Sequence, residues 1–115
     1  MPDFCIQIHP HRSSELDLDG VRSRCEGLAS NSQLILRFAF VDGTDGHYYA
    51  NLIFETNDPG ELWILLQQRL YHSSEFGGAL AKSSMAMCEG ERGWDDYLLL
   101  HHYDPAVQLD RLPGA

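Results

Sequence analysis

The apolar positions of the chain change period several times, and each change predicts an element. Phe4, Ile6 and Ile8 alternate with Cys5, Gln7 and His9, a period of two that predicts a strand with one apolar face. Pro10 ends that strand, because proline has no N–H for a ladder bond. Leu18, Val21, Cys25 and Leu28 then recur at spacings of three, four and three, the stripe of a short amphipathic helix, with Asp17 placed to cap it. The stretch QLILRFAFV, Gln33 to Val41, returns to alternation, and DGTDG, Asp42 to Gly46, supplies turn residues tolerant of positive φ. HYYANLIFE, His47 to Glu55, resumes the strand, so the two runs predict a hairpin.

In TNDPGELWILLQQRLYH, Asp58 suits an N-cap, Pro59 the first helical position and Glu61 the third residue after the cap. Leu62, Leu65, Leu66 and Leu70 give the resulting helix its apolar face. The segment ALAKSSMAMC, Ala79 to Cys88, reads either as strand or as helix, since alanine, leucine, lysine and methionine favour the helical state. Asp95 to Tyr103 predicts a strand in which Tyr97, Leu99, His101 and Tyr103 face one way and Leu98, Leu100 and His102 the other. The residues from Pro105 to Ala115 are expected to lie over the surface or fray.

This order predicts one α+β domain over residues 1–115, a two-layer ferredoxin-like sandwich (β-α-β-β-α-β, with room for an extra C-terminal strand). Its antiparallel sheet would carry two helices on one face. The histidines test that topology. His9 and His11 follow the first strand, and His101 and His102 end the last. If the last strand lies beside the first and antiparallel to it, the two pairs sit at opposite ends of the sheet. If Ala79 to Cys88 forms an intervening strand, they share one end, about 10 Å apart across two strand spacings. His9, His11, His101 and His102 are therefore candidate metal ligands only in the second arrangement, and no metal or other cofactor is expected.

Charge narrows the choice of partners. Seventeen acids against eight bases give a net charge of −9, which disfavours nucleic acid and anionic membrane surfaces and favours a basic protein. The three cysteines form no CxxC pair, and MPDFCIQIHPH lacks the basic and apolar regions of a secretory signal, so a cytoplasmic protein with reduced thiols is expected. No apolar run approaches the roughly 20 residues of a membrane span. No nucleophile–base pattern or phosphate-binding glycine motif is present, so no catalytic residues are assigned.

The segment CEGERGWDDY places Glu89, Glu91, Asp95 and Asp96 around Trp94, an aromatic anchor within carboxylates that would select a basic partner. These residues predict a small acidic non-catalytic binding module, for which a bacterial immunity or inhibitor protein is a natural form. The alternative is a small enzyme or ligand-binding domain that uses the histidines at one sheet end. Either would work as a monomer, or as a homodimer joined through the helix-free sheet face.

Overall fold

A computed structural model describes residues 3–112. Strand β1 runs from Asp3 to Ile8 and is followed by a single 3-10 turn, Pro10–Arg12. Helix α1 (Leu18–Asn31) leads to the hairpin of β2 (Arg37–Asp45) and β3 (His47–Glu55). Helix α2 (Pro59–Leu66) loosens into a π-turn over Gln67–Tyr71 and is followed by α3 (Gly77–Ser83), β4 (Ser84–Gly90) and β5 (Gly93–His101). The five strands form one antiparallel sheet in the order β2-β3-β1-β4-β5. The domain is thus α+β with three helices rather than two.

The sequence accounts for most of these boundaries. Asp17 Oδ1 accepts from the Gly20 N–H at 3.0 Å and Asp58 Oδ1 from the Glu61 N–H at 3.1 Å, so both expected caps form. Val21 and Cys25 of α1 and Leu62 and Leu66 of α2 are fully buried against Phe4, Ile6, Leu52 and Phe54 of the sheet. One difference lies in QLILRFAFV. Ile35 turns inward and Leu36 is exposed, against the expected alternation, and the strand begins only at Arg37. Pairing then continues through the expected turn as far as Asp45 opposite His47, and the chain reverses at Gly46, whose φ of 77° suits glycine.

Ala79–Cys88 is neither all helix nor all strand. Its first half closes α3, and the chain becomes extended at Ser84. Two hydroxyls mark the change. Ser83 Oγ donates to the Ala79 carbonyl at 2.7 Å, and Ser84 Oγ donates to the Leu80 carbonyl at 2.6 Å while meeting the Tyr71 hydroxyl at 2.7 Å. β4 then takes the place beside β1, with Phe4 opposite Cys88, and β5 lies outside it. Of the two arrangements the sequence leaves open, the structure has the one in which part of Ala79–Cys88 intervenes between β1 and the last strand.

All three helices lie on the face that carries Phe4, Ile6, Leu52, Phe54, Ala86 and Cys88. The opposite face carries Cys5, Gln7, Asn51, Ile53, Met85 and Met87, and no helix covers it among the described residues. The C-terminal segment does not fray where it is described. The Asp110 N–H donates to the Leu99 carbonyl at 2.7 Å, Asp110 Oδ2 accepts from the Leu99 N–H at 2.9 Å, and Leu112 is buried. This clasp holds the outer edge of β5.

Candidate functional site

Two regions gather the residues singled out in the sequence. The first is the end of the sheet where β1 leaves it. Pro10 opens the 3-10 turn, a position its fixed φ suits, and the Arg12 N–H donates to the His9 carbonyl at 3.0 Å. The His9 N–H in turn donates to the Ser83 carbonyl at 2.7 Å, tying the turn to the end of α3. The turn swings His11 and Arg12 over the sheet end.

His11 stacks on His47, with ring centroids 3.9 Å apart and planes inclined at 15°. His9 stands edge-on to His11 at 6.1 Å and to Tyr103 at 5.7 Å. The Arg12 guanidinium lies over the Tyr103 ring, 3.7 Å from its centroid, a cation–π contact that fixes its position. These groups surround a cavity of about 430 Å³, with Asp45, Tyr49 and the Gln7–Asn51 pair completing the wall. Gln7 Nε2 donates to Asn51 Oδ1 at 3.0 Å, which leaves Gln7 Oε1 to accept from His9 Nε2–H at 3.1 Å. The neutral His9 ring thus carries its proton on Nε2.

The arrangement resists protonation of His9 and His11. His9 is held below the ordinary histidine range by desolvation, then by the charges of Arg12, His11 and His102. His11 is lowered by desolvation and by the neighbouring His47 and Arg12. Among the described residues, no group of three or more His, Cys, Asp or Glu is disposed to hold a metal ion. The near-parallel His11 and His47 rings show why, since their in-plane lone pairs do not converge on one point.

The two histidines of β5 part company. Met87 is opposite Leu99, yet Ala86 is opposite His101, so Leu100 and His101 together face one residue of β4. This bulge shifts His101 onto the helix-bearing face, against the expected alternation that placed it with Leu99. There its Nε2–H donates to the Ala81 carbonyl at 2.9 Å, and its ring lies 4.6 Å from that of Tyr71. Burial lowers its pKa more than that hydrogen bond raises it. His101 is thus a neutral packing residue and leaves the cluster. His102 stays nearer, its ring tilted at 38° to that of Tyr103 with centroids 4.2 Å apart, and its Nδ1 accepts from the Asp104 N–H.

The sequence pairing of His9 with His101 therefore gives way to a cluster of His9, His11 and His47, with Arg12 and Tyr103. His47 was missed because its place depends on register. Ile8 pairs with Ala50, which puts His47 at the sheet end over which the Pro10–Arg12 turn carries His11.

The second region is the β4–β5 hairpin. Trp94 is 43% exposed and stands on the uncovered sheet face, bordering a hollow of about 260 Å³ with Cys5, Ile53 and Met87. Glu91, Asp95 and Asp96 are exposed on the same hairpin, as is Arg92, and Tyr97 is 49% exposed. Glu89 is committed differently, since its Oε1 accepts from the Asp3 N–H at 2.9 Å and joins β4 to the start of β1. Gly93, with φ of 75°, allows the reversal that delivers Trp94. Burial raises the Cys5 thiol to about 11, with Asp3 adding to the effect, and raises Cys88 to about 11 and Cys25 to about 12. The three thiols are thus buried, free and protonated rather than nucleophilic.

Comparisons with protein-family models, with curated proteins and with solved structures find no match to this chain. Among the described residues, no helix is long and apolar enough to cross a membrane.

Proposed function

We propose that this protein is a non-catalytic binding module that engages a basic protein through the uncovered sheet face at the β4–β5 hairpin. The observation that carries this reading is Trp94, which stands exposed beside the Cys5–Ile53–Met87 hollow on a hairpin that also exposes Glu91, Asp95 and Asp96. Tryptophan anchors concentrate binding energy at interface centres, and a rim of carboxylates speeds and selects a cationic partner. The net charge of −9 acts in the same direction over longer range. An inhibitor or immunity protein for a basic toxin is the specific form that suits these features. We further read β2-β3-β1-β4 with α1 and α2 as a ferredoxin-like plait to which β5 is added.

The test is capture at low salt by tagged protein from lysate of the source organism, run beside Trp94→Ala and Asp95→Lys/Asp96→Lys variants whose melting is unchanged. A stoichiometric basic partner, released by salt and lost with either variant, is the expected result. Absence of any stoichiometric partner, or a partner indifferent to both variants, overturns the reading. The histidine cavity favours a second reading, a ligand-binding domain, whose chemistry is developed next.

A further inference from the structure

We propose that the cavity at the end of the sheet binds a tetrahedral oxyanion, the phosphate or sulfate group of a small molecule, through Arg12, His9, His11 and His47. The proposal is independent of the partner surface on β4 and β5, and either can fail without the other. Its basis is a local gathering of cationic and protonatable groups. In a chain of net charge −9, one cavity collects a guanidinium and three imidazoles. Among the described residues Arg12, like Arg69, Arg92 and Arg111, makes no salt bridge, so its guanidinium is not committed to a carboxylate. The Tyr103 ring holds the Arg12 fork from one face at 3.7 Å and leaves its N–H edges for a bidentate acceptor.

The donors do not share a plane. His9 and His11 are inclined at 85° to one another, and His47 stacks behind His11 from the start of β3. Donors arriving from several directions suit a three-dimensional set of acceptor oxygens better than a flat carboxylate. The cavity, at about 430 Å³, has room beyond the anion, with the Tyr49 and Tyr103 rings and the Gln7–Asn51 amides as walls for an organic group.

The opposing groups set the pH dependence. Asp45 lines the same wall from the end of β2, and it offsets one positive charge. With Asp45 and Arg12 in balance, the sign of the site rests on His9 and His11, while His47 stacks on His11 and His102 lies behind Tyr103. Desolvation and mutual repulsion keep His9 and His11 neutral to lower pH than usual, and a bound anion reverses the repulsive part. Binding is therefore linked to proton uptake and strengthens as the solution is acidified. Protonation of His9 leaves its Nε2–H on Gln7 and adds a second donor at Nδ1.

The experiment is an NMR titration of the histidine ring protons in tag-free protein with sodium sulfate, then with inorganic phosphate and phenyl phosphate, at ionic strength held constant with chloride. Sulfate keeps its charge over the range used, so any pH dependence belongs to the protein. The signals of His9, His11 and His47, assigned through single glutamine variants, are expected to move saturably at about pH 6, with His72 and His101 as unmoved references. Affinity is expected to fall about tenfold at pH 8 and about tenfold in Arg12→Gln, the effect of losing one charge-assisted contact. Phenyl phosphate binding more tightly than inorganic phosphate would show that the remainder of the cavity is used. Uniform drift of all histidines, no saturation, or an Arg12→Gln variant that binds as tightly as the parent overturns the proposal. So does a zinc titration that shifts the three histidines where the oxyanions do not.

Discussion

The junction of α3 and β4 rests on one hydroxyl, and a double-mutant cycle measures it. Ser84 is fully buried; its Oγ donates to the Leu80 carbonyl and meets the Tyr71 hydroxyl, at 2.6 and 2.7 Å. Because that Oγ proton goes to Leu80, the Tyr71 O–H is the donor of the second bond. Ser84→Ala removes both bonds and leaves the buried Tyr71 hydroxyl without its acceptor, at a cost of about 2 kcal/mol. Tyr71→Phe leaves the Ser84–Leu80 bond intact and costs about 1 kcal/mol. Once Tyr71 is phenylalanine, Ser84→Ala no longer strands a hydroxyl. The double variant is therefore less destabilised than the sum, with a coupling of about 1 kcal/mol. Urea unfolding followed by the fluorescence of Trp63 and Trp94 reads this directly. The Ser84→Ala midpoint should fall by about 1 M at an unchanged slope. Strict additivity would refute the shared bond, and with it the account of why the chain leaves the helix at Ser84.

Two further outcomes follow from the same physical terms. His9, His11 and His101 all have lowered folded-state pKa values, so between those values and about 6.5 the unfolded chain binds more protons than the folded one. Stability is then full above that window and falls as pH drops through it. Urea midpoints between about pH 7.5 and 5.5 should decline, and His101→Gln should flatten the slope; a midpoint that rises on acidification contradicts the assignment. Two glycine-to-alanine substitutions should have opposite signs. At Gly27 in α1 an alanine methyl would enter open space, and the variant should gain about 1 kcal/mol. At Gly77 the same methyl would collide with the Tyr71 carbonyl oxygen, and the variant should lose stability in the same unfolding assay.

Much of the architecture was legible because local rules and tertiary packing agree. Asp17 and Asp58 cap as their neighbours imply, and the Val21–Cys25 stripe meets the alternating face of β1. The parts that were not legible depend on long-range register. Ala79–Cys88 has residues suited to both states, and its division at Ser84 requires Tyr71 and β1 to be in place. Alternation in YLLLHHY fails at a bulge, because an extra residue in one strand has no signature in its own sequence. His47 looked like a hairpin residue, and only the β1–β3 pairing brings it to His11.

The Asp110 clasp has a consequence for how this sheet can meet its own kind. Unpaired strand edges invite further strands, and a sheet open on both sides can extend without end. Here Leu99, in the middle of β5, has both its N–H and its carbonyl occupied by Asp110. β2 at the other margin keeps an outward edge. At Leu99 an incoming strand would find no free backbone donor or acceptor on β5, whereas no such clasp covers β2 among the described residues. β5 is therefore the less receptive of the two margins at this point.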